Sequence, residues 1–176
     1  MKTFEFAIIA SGLDPNADDF ESKFYDAGCD DATVSFQRGH IIVDFSREAD
    51  SIEDAIASAL EGVILAGATV DRIEPDPLVS LADIAHRTGL TRAALTNYSK
   101  GRRAKAFPAP VAKVTSDSPL WDWSAVSRWF YENRNGDRDA AIEAEAVRQA
   151  NAAISQGVAN IGDLLRVRVH EYEGAL

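Results

Sequence analysis

The chain has 176 residues, 46% of them hydrophobic, enough for one sizeable core or two small ones and too many for general disorder. Cys29 is the only cysteine, which excludes an internal disulfide, and no apolar run reaches the length of a membrane span, so a cytoplasmic protein is expected. The net charge of −10 argues against loose coating of nucleic acid, but it is unevenly spread: residues 1–76 carry 5 Lys/Arg against 17 Asp/Glu, residues 77–115 carry 7 against 1, and residues 116–176 carry 6 against 10.

Residues 1–74 read in the order strand, helix, strand, strand, helix, strand. Phe4, Phe6 and Ile8 alternate as a half-buried strand requires. Phe20, Phe24 and Ala27 mark one face of a helix that Gly28 can end. Val34 and Phe36 form a second strand, Gln37–Arg38–Gly39–His40 a hairpin turn, and Ile41, Val43 and Phe45 a third strand. Ile52, Ala55, Ile56, Ala59, Leu60 and Val63 make a helical stripe, and Thr69 to Ile73 reads as a fourth strand. This order predicts an α+β fold that begins with an acidic, ferredoxin-like βαββαβ sandwich.

Residues 75–77 form a stiff linker, because Pro75 and Pro77 disfavour helix in the residues before them. Residues 78–133 then form the basic domain. Ser80 and Asp83 can make a reciprocal cap for a helix that buries Leu81, Ile84 and Ala85. Gly89 supplies a left-handed turn and Leu90 is expected to plug the corner. Thr91 caps a second helix, with Leu95 and Tyr98 on the buried side and Arg92, Ala93, Thr96, Asn97 and Lys100 outward. Ala85 is small enough for the steep crossing of a DNA-binding helix-turn-helix. Ala112 to Thr115 and Leu120 to Trp123 are expected to pair as a β-ribbon, a wing. Ser124 is expected to cap a helix in which Val126, Trp129 and Phe130 close the core.

From residue 137 to 172 the chain is alanine-rich and helical in propensity. Val147, Ala150, Ile154, Val158, Ile161, Leu165, Val169 and Tyr172 recur at steps of three and four. An unbroken helix of that length would span roughly 54 Å, so the segment must project and pair with another copy or fold back, with Gly157 and Gly162 as the weak points. Pairing would make Val147, Ile154, Val158, Ile161 and Leu165 a dimerisation stripe.

Three groups of residues carry a family resemblance. They are Ser80–Leu81–Ala82–Asp83–Ile84–Ala85 leading into Gly89–Leu90–Thr91–Arg92, then Phe107–Pro108–Ala109–Pro110–Val111, and last Trp121–Asp122–Trp123–Ser124 with Val126 and Trp129. Together they resemble the winged helix-turn-helix of MerR-like and AlpA/excisionase-like bacterial and phage regulators, over about a third of the chain. The resemblance implies binding of double-stranded DNA, usually as a homodimer and usually in transcriptional control, with no catalysis. The acidic first domain departs from the minimal pattern of that family.

On this reading Arg92, Ala93, Thr96 and Asn97 face base edges, where arginine pairs with guanine and asparagine with adenine. Thr91, Lys100, Arg102, Arg103, Lys105 and Lys113 meet the phosphate backbone. The plainer alternative is a solvated helix face and a solvated basic loop; the near absence of acid between residues 77 and 115 favours phosphate. Trp121, Trp123 and Trp129 are read as core, not as base-stacking platforms. His40, His86 and His170 share no ligand spacing with Cys29 or each other, so neither metal nor cofactor is expected. No nucleophile motif, phosphate loop or carboxylate pair is present, and an enzyme is not expected. The expectation is a repressor, associated with the nucleoid when bound to DNA. Two rivals remain: an antitoxin that neutralises a protein partner through its acidic domain or C-terminal helix, and a sensor that binds a small ligand at an ACT-like first domain.

Overall fold

The computed structural model describes residues 1–102 and 104–176. Among them the fold is mixed α+β, with seven helices, a four-stranded antiparallel sheet and a two-stranded ladder. None of the helices is long and apolar enough to cross a membrane. The chain divides into two compact units, one of Met1–Pro75 with Ala146–Ala175 and one of Asp76–Glu145 with the last residue.

In the first unit the elements follow as β1 (Lys2–Ser11), α1 (Phe20–Asp26), β2 (Ala32–Gln37), β3 (His40–Ala49), α2 (Ile52–Leu65) and β4 (Thr69–Glu74). Alternation decides the buried face: Phe4, Phe6, Ile8 and Ala10 of β1 and Ile41, Val43 and Phe45 of β3 are buried. The register sets Phe6 opposite Phe45, and their rings stack at 5.4 Å. Arg38 and Gly39 both have positive φ, the requirement of the two-residue turn that joins β2 to β3. Ser51 caps α2 by accepting the Asp54 N–H, and α2 buries its Ile56, Leu60 and Val63 stripe. The strand order across the sheet is β2-β3-β1-β4.

The C-terminal segment is two helices, α6 (Arg138–Ser155) and α7 (Ile161–Ala175). They part at Gly157, whose φ of +67° is open to glycine without penalty. Within the first unit α7 packs along α2: Gly162 comes close to Ala57, and the Arg166 guanidinium donates to Asp54 at 2.8 Å. The expected dimerisation stripe therefore turns inward. Val147 and Leu165 are buried inside the chain, while Ile154, Val158 and Ile161 are half-buried, so they do not form a free apolar face. Folding back wins because α2 offers an adjoining helix surface that hides the leucine without a second copy.

The second unit runs through β5 (Leu78–Val79), α3 (Leu81–Thr88), α4 (Arg92–Ser99), β6 (Trp121–Asp122) and α5 (Trp123–Arg134) into the start of α6. Val79, Ile84, Leu95, Trp121, Val126, Trp129 and Phe130 form its core, with Tyr98 and Phe107 against it. The Phe107 and Phe130 rings meet Trp129 edge-on at 5.0 and 5.2 Å. Two local expectations are corrected here. The ribbon contracts to one bridge, Ala112 to Leu120, and Trp121–Asp122 pairs instead with Leu78–Val79, because that register sets the core residues Val79 and Trp121 side by side. The cap of α5 is Asp122, which accepts the Ser124 N–H at 3.0 Å; Ser124 itself is buried and donates its hydroxyl to Glu145 at 2.5 Å.

Candidate nucleic-acid interface

The helix pair is locked at each end by side chains that the sequence places there. Ser80 accepts the Asp83 N–H at 3.2 Å, while the Asp83 carboxylate accepts the Ser80 N–H at 2.8 Å. Those bonds hold the Asp83 carboxyl below the usual aspartate range. At the other end of α3, Gly89 takes the left-handed conformation (φ +72°) and donates its N–H to the Ala85 carbonyl. Thr88 donates its hydroxyl to Ile84 and accepts the Leu90 N–H, closing the turn. Thr91 then accepts the Ala94 N–H at 3.1 Å and starts α4. Leu95, wholly buried, fixes which way α4 faces.

With Leu95 and Tyr98 turned inward, Arg92, Ala93, Thr96, Asn97 and Lys100 share the outward side of α4 by helical geometry. Arg92, Ala93 and Lys100 are exposed, and Thr91 stands exposed at the cap. Thr96 and Asn97 are half-buried, and the Thr96 hydroxyl donates to the Arg92 carbonyl at 2.9 Å, which leaves it lone pairs but no proton for a base. No acidic residue stands in the first turn of α4, so the positive end of its dipole is uncompensated.

The loop after α4 is held by indoles. Trp129 Nε1 donates to the Lys105 carbonyl at 2.9 Å and Trp121 Nε1 to the Pro108 carbonyl at 2.9 Å. The tryptophans thus pack the core and, at the same time, tether the basic loop, a role that composition and spacing do not reveal. Arg102 and Lys105 are exposed on it, and Arg103 lies outside the described residues. Lys113 is exposed but sits in a separate turn, where its carbonyl accepts the Ser116 N–H.

Arg87 changes the charge count of this region. Its guanidinium stacks over the Trp123 ring at 5.2 Å and donates to the Asp76 carbonyl at 3.1 Å, and burial pulls its pKa below the ordinary value. It is therefore turned into its own unit. Leu90 does not plug the corner: it is 37% exposed and lines a cavity of about 400 Å³ with Arg87, Tyr98, Trp123, Phe130 and Arg134. The core beneath the turn is already closed by Ile84 and Leu95.

Elsewhere, burial chiefly pushes the Cys29 thiol up, and the neighbouring Asp31 and Asp30 add to this against the pull of Arg47. Among the described residues no three His, Cys, Asp or Glu side chains converge to hold a metal ion. No family model, curated protein or solved structure matches the chain.

Proposed function

We propose that residues 78–133 form a winged helix-turn-helix, similar to that of the MerR-like and AlpA/excisionase-like regulators, and that the protein binds double-stranded DNA sequence-specifically as a cytoplasmic homodimeric repressor. It acts by binding, without catalysis. One observation carries the reading: α4 begins with an acid-free, capped turn, presents Arg92, Ala93, Thr96 and Asn97 on one outward side, and runs directly into a cationic loop tethered by Trp129. Arg92 and Asn97 read base edges, while Thr91, Lys100, Arg102, Arg103, Lys105 and Lys113 meet phosphates. The first unit is a ferredoxin-like sandwich in this reading, which its βαββαβ order and its β2-β3-β1-β4 sheet support.

The test is selection of bound duplexes from a random-sequence pool at low salt, followed by fluorescence anisotropy on the enriched site and on a scrambled one. A recurrent site is expected to emerge. Arg92→Ala and Asn97→Ala should each weaken binding to it by roughly 1–3 kcal/mol while leaving the scrambled duplex nearly unaffected. A pool that shows no enrichment, with both variants binding as the parent does, would sink the reading.

A further inference from the structure

The two edges of the four-stranded sheet differ in kind. On β4, Asn151 of α6 accepts the Ile73 N–H at 2.8 Å and donates to the Ile73 carbonyl at 2.9 Å, so a side chain occupies the place of a fifth strand. On β2 the strand reads Ala-Thr-Val-Ser-Phe-Gln, with neither charge nor proline to repel a neighbour. Its register with β3 closes on Gln37 opposite His40 across the two-residue turn. Thr33, Ser35 and Gln37 therefore exchange their backbone bonds with β3, and those of Val34 and Phe36 point away from the sheet. The Ala32 N–H is used by the Cys29 carbonyl, which leaves its C=O outward.

We propose that this edge pairs with β2 of a second copy, antiparallel, about a two-fold axis through Val34. In that register Val34 bonds reciprocally to Val34 of the second copy. Each Phe36 N–H donates to the Ala32 carbonyl opposite. Thr33 faces Ser35.

Two further features agree with the same axis. Phe36 is 47% exposed, and beside Ala32 lies a groove of about 480 Å³ lined by Ser22, Tyr25, Ala32 and Val34. The register carries Phe36 of each copy to that groove on the other, where it meets the exposed Tyr25 ring.

Charge complements shape. The register also brings Arg38 beside Asp30 of the second copy. Of the five Lys/Arg in residues 1–76, Lys23 pairs with Asp19, Arg47 with Asp31 and Arg72 with Glu74, and Lys2 lies over the Phe4 ring. Arg38, exposed at the turn, has no such contact among the described residues. A unit that is otherwise acidic thus keeps a cation at the place where the two-fold axis supplies an aspartate.

Sedimentation equilibrium of the full chain without DNA tests this. The parent is expected to dimerise in the micromolar range. Arg38→Asp and Asp30→Arg should each weaken the dimer about tenfold, and the double variant should recover it, since reversal exchanges the two partners of the same pair. Val34→Pro removes an outward N–H that β3 does not use and should leave a monomer with the parent's circular-dichroism spectrum. A parent that stays monomeric at high micromolar concentration, or a double variant as weak as either single one, would overturn the proposal. Because no DNA is present, either result leaves duplex binding to its own test, while a monomeric parent would also remove the homodimer from that reading.

Discussion

Arg47 remains charged while only 8% exposed, because its N–H groups meet acceptors: Asp31 at 2.8 Å through Nε and again through Nη2, Ser58 at 3.1 Å and the Gly28 carbonyl at 2.6 Å. It continues the inward alternation of Ile41, Val43 and Phe45, a continuation not drawn from the sequence because a charged residue is rarely buried. Its bonds in turn hold the Asp31 carboxyl below the ordinary aspartate range. A carboxyl lowered in the folded state contributes stability above its unfolded pKa, near 3.9, and loses it as pH falls through the folded value. Arg47→Met should therefore cost about 2–3 kcal/mol at pH 7, less than the roughly 3–5 kcal/mol of a fully buried broken pair because the Asp31 side chain keeps some solvent. The deficit should shrink below about pH 4. Urea melts at both pH values check it: an equal deficit at each would mean that shape, not charge, carries the effect.

At the scale of elements, the termini of α3 and α4 were legible because capping is local: Ser80, Asp83, Gly89 and Thr91 do what their residue types allow within a few positions. The pairing of Trp121–Asp122 was not legible, since strand pairing is chosen by non-local burial, and Trp121 stands opposite Val79 rather than in a ribbon with residues 112–115. Gly136, by contrast, is constrained locally at the end of α5: its N–H donates to the Phe130 carbonyl, and a Cβ there would stand 2.8 Å from the Phe130 carbonyl carbon. Edge closure by Asn151 is non-local again, linking residues 78 positions apart. Asn151→Leu keeps the volume but strips both bonds from Ile73, so a loss of about 1–3 kcal/mol is expected from thermal melts. It should also increase association through the uncovered β4 edge, read by light scattering. A variant as stable and as monodisperse as the parent would show that water replaces the amide at no cost.

For the whole molecule, the net charge of −10 is a poor guide to DNA affinity, since phosphates respond to cations within a Debye length. Counting Lys and Arg by segment is also too coarse, because Arg87 is committed to Trp123 and Asp76. The proposed interface relies on Arg92, Lys100, Arg102, Lys105 and Lys113 among the described residues. Each phosphate contact adds about 0.9 to the slope of log K against log salt. Lys100→Gln and Lys105→Gln should each reduce the slope by about that much, and Arg87→Gln should leave it unchanged. Salt titrations by anisotropy decide; a lowered slope for Arg87→Gln would put its guanidinium back at the interface.

By itself the sequence determined the strands and helices of residues 1–74, the capped helix pair, the outward side of α4 and the single basic segment. Those properties depend on period, capping and local charge, all written within a few residues of one another. Only the tertiary structure decided that the C-terminal segment divides and its α7 packs along α2, that Trp121 pairs with Val79, that Arg87 turns inward and that Asn151 closes one sheet edge while β2 leaves the other open. An apolar stripe specifies that it must be buried and a buried polar group that it must be bonded. Neither specifies the partner, which is set by whichever surface the rest of the chain brings within reach.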